Sequence, residues 1–199
     1  MKKNELIPLI LLLCTLPLCA FLSFENQCAQ VREQTVRLHV VANSDSSDDQ
    51  NVKLLVRDAI LAYTASSIGD SGKKTQALNN MQAQLEQIQA VADDVLRQNG
   101  KEYISAVYLT NEYFSTREYE GFTMPAGRYD ALRIELGEAD GRNWWCVAFP
   151  PLCYGSAAAP EPDTARQITG EITLIETTGM RPAFRTVELF EELRERFAN

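Results

Sequence analysis

His39 is the only histidine in the 199 residues, and it stands in a β-branched, apolar stretch, Thr35-Val36-Arg37-Leu38-His39-Val40-Val41-Ala42. Directly after it comes Asn43-Ser44-Asp45-Ser46-Ser47-Asp48-Asp49-Gln50. A histidine near serines and acids invites a hydrolytic reading, in which a nucleophile, a base and an orienting acid converge. Ser44 and Asp45 lie so close to His39 in the chain that sequence alone does not assign those roles. A zinc site needs about four ligands, and one histidine with acids on a flexible segment is too few. Asp45, Asp48 and Asp49 resemble part of a calcium loop but lack its central glycine and terminal glutamate. Helix capping accounts for them better, and a satisfied structural histidine is the plainer expectation for His39.

A second group lies further on. Trp144 and Trp145 are neighbours in an extended stretch, so their rings must point to opposite faces of a sheet. One is expected to fill the core, and the other either packs beneath a helix or projects as an aromatic anchor for a partner. Cys146 and Cys153 are separated by a segment containing Pro150 and Pro151, which turns the chain and makes them a candidate disulfide outside the cell. Two buried free thiols are the alternative, and no Cys-x-x-Cys pair is present. Arg133 and Glu135 share a strand face, with Glu138 following Gly137 in a turn, and a polar network with Arg57 and Asp58 is one expectation. The candidate partner-binding or polar-network residues are therefore His39, Asn43, Asp45, Arg57, Arg133, Glu138, Asn143, Trp144 and Trp145. No catalytic residue, metal ligand or cofactor is expected.

These groups need elements to hold them. Residues 35–42 read as a strand and 48–65 as a helix whose Val52, Leu55, Val56, Ala59, Ile60 and Tyr63 recur at helical steps. Residues 74–98 read as a second amphipathic helix, with Leu78, Met81, Leu85, Ile88, Val91, Val95 and Leu96 inward, ending at Asn99-Gly100. The period then changes to that of strands over 103–114, 129–136 and 144–149. One strand, two helices and three strands predict an α+β domain, a mainly antiparallel sheet with two long amphipathic helices on one face. Residues 154–162, rich in Gly, Ala, Ser and Pro, read as a linker. Residues 168–177 read as strand or helix, and 187–197 as a short surface helix.

Composition bounds the function. The formal charge is -8, and the first thirty residues contribute nothing to it, because Lys2 and Lys3 offset Glu5 and Glu25. An acidic body without a basic stripe repels phosphate backbones, so nucleic acid is not an expected partner. Lys2 and Lys3 precede an apolar run over 6–24, about 19 residues, close to the length that crosses a bilayer. It reads as an export segment, either removed or kept as a membrane anchor, since Ala20 and Ala29 each follow a large residue at the position where a cleavage site wants a small one. The expected organisation is an export signal or anchor over 1–30, an α+β signalling domain over 35–154, and a linker with a C-terminal helix over 155–199.

Two segments carry a family resemblance. Arg37 to Gln50, with Val56-Arg57-Asp58-Ala59-Ile60 downstream, and 127–153, with Asn143-Trp144-Trp145-Cys146 followed by Phe149-Pro150-Pro151-Leu152-Cys153, resemble stage II sporulation protein R. With the helices between them, the resemblance covers about 35–154 and carries no established catalytic residue. It implies an exported, non-enzymatic protein made in the forespore of endospore-forming bacteria. Such a protein crosses the inner forespore membrane into the space between forespore and mother cell. There it is implied to activate a membrane-embedded aspartic peptidase that removes the pro-sequence of sporulation sigma factor E. The expected partners are that peptidase and, through an uncleaved N-terminus, the membrane; no small-molecule substrate is expected. An extracytoplasmic hydrolase using His39 is the alternative function, and a passive envelope protein, which would show repeats, is a third.

Overall fold

The computed structural model describes residues 3–150 and 181–198, apart from 69–70 and 120–121, with side chains described from Leu13 onward and over 183–197 in the last helix. Cys153, Pro151, the expected linker and the segment 168–177 lie outside the described residues. The order of elements is α1 (Lys3–Gln34), β1 (Val36–Val41), α2 (Ser47–Ser67), α3 (Lys74–Ala83), α4 (Leu85–Gln98), β2 (Ser105–Phe114), β3 (Arg117–Tyr119), β4 (Phe122–Met124), β5 (Gly127–Leu136), β6 (Asn143–Phe149) and α5 (Arg181–Ala198). The chain divides into two compact units.

The larger unit, 33–113 with 128–172, holds the α+β sheet. Its strands run β2-β5-β1-β6. β1 pairs with β5 in parallel and with β6 antiparallel. The β2–β5 pair is antiparallel too, because Gly137 N donates to Ile104 O at one end while Arg128 donates to Asn111 O at the other. Two of the three pairings are thus antiparallel, and the parallel one sits at the centre. Alternation sends Val36, Leu38 and Val40 to one face, where they meet Leu132, Ile134 and Leu136 of β5 and Cys146 and Ala148 of β6. That face carries the core, built against Val52, Val56 and Ile60 of α2 and Ile88, Ala92 and Leu96 of α4. Each such valine, leucine or isoleucine contributes roughly 1.5–3 kcal/mol on removal from water.

α2 begins where Ser46 accepts a hydrogen bond from Asp49 N (3.1 Å), with Asp48 and Asp49 at the positive end of the helix dipole. Its buried line runs through Val52, Val56, Ile60 and Thr64, and Leu55, expected inward, is 46% exposed at the flank of that line. The second expected helix, 74–98, is two helices. At Gln84 the backbone turns to φ -117°, ψ 13°, its N–H bonds Met81 O (3.0 Å), and its side chain accepts from Tyr63 OH of α2 (2.8 Å). α4 closes as the chain pattern predicts, with Gly100 at φ 70° and Lys101 N donating to Leu96 O (3.0 Å). The Phe149–Pro150 peptide is cis.

The smaller unit, 1–32 with 114–127 and 173–199, contains α1, the β3–β4 ribbon and α5. Phe24 of α1 meets Phe184 of α5 edge to face with centroids 5.1 Å apart, and Cys28, Val31 and Val187 are fully buried or nearly so. Arg32 ties this unit together. It is ion-paired with Glu25, lies 3.6 Å from Glu191, and donates to Ala126 O (3.0 Å). Burial, reinforced by the charge of Glu25, pushes the Cys28 thiol up to about 12, so it sits protonated and unreactive. Among the described residues no helix is long and apolar enough to cross a membrane; the side chains of 6–12, the first part of the apolar run, lie outside them.

Gly137, just after β5, sits at φ 57°, and a Cβ there would collide with the Asn43 side chain. Gly137→Ala is expected to lower stability by roughly 1–3 kcal/mol, read as a shifted midpoint in chemical denaturation, with the far-UV spectrum unchanged.

Candidate functional site

The face of the sheet opposite the core carries a row of polar side chains among buried Tyr129, Ala131 and Val147. Register places His39 of β1 beside Arg133 of β5 and beside Trp145 of β6. Glu112 of β2 reaches them through its side chain, so Glu112, Arg133, His39 and Trp145 form one chain of contacts across all four strands. Glu112 reaches His39 Nδ1 with one oxygen (2.8 Å) and accepts from Arg133 with the other (2.8 Å). His39 Nε2 is 2.8 Å from Asn143 Oδ1, and the imidazole leans on Trp145 with centroids 5.6 Å apart. Arg133 Nε donates to Glu135 (2.8 Å), which also accepts from Tyr108 OH (2.9 Å).

Electrostatics follow from this pairing. Burial by itself would raise the Glu112 carboxyl, but hydrogen bonds from and the charges of His39 and Arg133 bring it below the usual range. Arg133 is pushed up, because its bonds to Glu135 and Glu112 outweigh burial. Burial and the bond to Glu135 raise Tyr108. Below this chain of contacts Arg37 is fully buried, donating from Nε to Cys146 O (2.9 Å) with its guanidinium 5.2 Å from the Tyr129 ring centre.

A second polar cluster stands at the end of β1 and centres on Asp49. It accepts from Asn43 Nδ2 (2.8 Å), Ser44 Oγ (2.6 Å), Lys101 Nζ (2.6 Å) and Tyr103 OH (2.7 Å). Burial opposes its charge, and those four hydrogen bonds overcome it, holding the carboxyl well below the ordinary carboxylate range. Hydrogen bonds to Asp48 and Asp49 raise Lys101, while burial and the Asp49 contact push Tyr103 up to about 12. Asn43 Oδ1 also accepts from Glu138 N (3.0 Å), and Asp45 accepts from Arg142 N (2.8 Å), so residues 43–50 and 137–142 are laced into one structure. Among the described residues no group of histidines, cysteines and acids could hold a metal ion.

The nine candidate residues therefore separate into three places. His39, Arg133, Asn143 and Trp145 share the polar face; Asn43, Asp45 and the backbone of Glu138 belong to the Asp49 cluster. Arg57 and Trp144 stand on the helix side, with the guanidinium 4.4 Å from the ring centre and Trp144 37% exposed. The expected network of Arg57 and Asp58 with Arg133 and Glu135 does not form. Arg57 pairs with its neighbour Asp58 (2.6 Å), and alternation puts Arg133 on the other face of the sheet. Cys146 is buried in β6, and its candidate partner Cys153 lies outside the described residues. Glu112 and Tyr108 escaped sequence reasoning because only the pairing of β2 with β5 brings Glu112 to His39 and Tyr108 to Glu135; Tyr103 and Lys101 escaped because they reach Asp49 across more than fifty residues.

Fold and site define an α+β protein whose polar sheet face is paired internally and whose one half-exposed tryptophan lies beside an arginine. The chain belongs to the stage II sporulation protein R family, whose model matches residues 32–159. Stage II sporulation protein R of Bacillus subtilis (strain 168) is 37% identical over 130 residues, a match spanning 65% of this chain and 58% of that protein. No solved structure matches.

Because Asp49 is depressed, its contribution to stability is complete above about pH 4, the ordinary aspartate value, and is lost as pH falls through its lower folded value. Asp49→Asn is expected to cost about 2–4 kcal/mol at neutral pH. Its denaturation midpoint should also change less than that of the parent between neutral and strongly acidic pH; parallel curves would show that Asp49 does not carry this dependence.

Proposed function

We propose that this protein is an exported sporulation signal, made in the forespore, that activates a membrane-embedded aspartic peptidase in the space between forespore and mother cell, so that sigma factor E loses its pro-sequence. Family membership supports the sporulation role. The observation that favours docking over catalysis is the state of His39, whose two ring nitrogens are engaged by Glu112 and Asn143. Neither is offered to a substrate as a general base must be. Trp144, half-exposed and stacked on Arg57, is the aromatic anchor this reading assigns to the partner, since tryptophan and arginine dominate interface energies. The export run over 6–24 supplies the route across the membrane.

The hydrolase reading rests on the His39–Glu112 pair, which has the geometry of a base with its orienting acid. Co-expression of the chain with the peptidase and its pro-protein substrate separates the two. Trp144→Ala is expected to reduce processing about tenfold or more with the fold intact, whereas His39→Gln, which keeps a hydrogen-bonding side chain, should stay within about threefold of the parent. Processing that survives Trp144→Ala but is abolished by His39→Gln in a folded protein would reverse the assignment. For the exported protein we further expect Cys146 and Cys153 to resist alkylation until reductant is added; ready alkylation of both in the native exported form would remove the disulfide from the account.

A further inference from the structure

The last helix is built with its apolar residues outward. All four acids described on α5 (Glu188, Glu191, Glu192 and Glu195) are buried or half-buried, Glu191 being 3% exposed near Arg32. Apart from Thr186, every exposed residue described on this helix is either apolar (Leu189, Phe190, Leu193 and Phe197) or arginine (Arg185, Arg194 and Arg196). At about 100° per residue the four apolar side chains share an arc of about 100°, with Arg185 and Arg196 along one border and Arg194 along the other. Phe197 is 88% exposed at its end. An apolar stripe bordered by arginines is the pattern of a helix that lies in the plane of an anionic bilayer, phenyl and leucyl groups among the acyl chains and guanidinium groups on the phosphates.

The surface does not stop at α5. Phe190 packs edge to face on Phe21 of α1, centroids 5.7 Å apart, within the same unit. There α1 turns its own Leu13, Leu16, Leu18 and Leu22 outward. The leucines lie around α1 rather than along one side of it and begin beside that aromatic contact, so what covers them near Phe21 reaches Phe190 of α5. We propose that α5 is an interfacial helix whose Leu189, Phe190, Leu193 and Phe197 dock on an anionic lipid surface, holding the smaller unit against the membrane that α1 meets. α5 lies beyond the family match and belongs to the smaller unit, whereas Trp144 belongs to the larger one.

The test uses the full chain reconstituted in vesicles of phosphatidylcholine with phosphatidylglycerol, read by amide hydrogen exchange along α5 and needing no peptidase. Exchange over 185–197 is expected to be slowed about tenfold or more relative to the chain carrying both Leu193→Asp and Phe197→Asp, two replacements at exposed positions. Arg185, Arg194 and Arg196 changed together to Gln should lose most of the added protection that phosphatidylglycerol gives over phosphatidylcholine alone. α1 is unaltered throughout, so its own insertion is constant. Equal exchange in parent and double variant would overturn the proposal. So would protection that rises with protein concentration at fixed lipid, which would assign the stripe to a second copy of the chain.

Discussion

A strand buried along its whole length, yet carrying an arginine and a histidine, governs this fold. β1 lies between β5 and β6 with all six residues buried, so its backbone groups are satisfied by two neighbours and its side chains meet no bulk water. For Val36, Leu38 and Val40 that is a gain. For Arg37 and His39 it is a debt of several kcal/mol each unless every polar atom finds a partner. The chain of contacts Glu112–Arg133–His39–Trp145 and the bond from Arg37 to Cys146 O are the response. They draw one residue from each strand, which fixes the register of the sheet as firmly as the apolar face does.

The same logic repeats at the end of β1. A carboxylate as buried as Asp49 is tolerated because Asn43, Ser44, Tyr103 and Lys101 surround it, and these come from two local features: the stretch between β1 and α2, and the approach to β2. The polar stretch after β1 is therefore a structural clasp. It joins the start of α2 to the β5–β6 turn through Asn43, which donates to Asp49 and accepts from Glu138 N. Acids that look like ligands in the sequence are committed to protein donors, and the chemistry available to them is correspondingly small.

In the smaller unit the balance falls elsewhere. Arg32 draws Glu25 and Glu191 inward, and the leucines and phenylalanines of α5 are left facing out. One buried arginine thus decides which side of an amphipathic helix is wet. That outward apolar face is the exposed patch on which the proposed membrane contact rests.

Much was legible from residue order alone: strands near 35–42, 103–114, 129–136 and 144–149, the helix after Ser46, and the stop at Asn99-Gly100. These follow from local periodicity and caps, which act over a few residues. The break at Gln84 was not legible, because nothing in Met81-Gln82-Ala83-Gln84-Leu85 disfavours helix and the Gln84 side chain's partner, Tyr63, sits on another element. Nor could alternation tell which strand would lie next to β1, so the joining of His39 to Glu112 was invisible, as was the separation of Arg57 from Arg133. Residue order by itself determined the elements, the acidic body and the family, because those reside in neighbouring residues. Which polar groups meet, and that His39 has both nitrogens occupied, was decided only by tertiary structure, since strand order and register place side chains together over separations that local sequence does not encode.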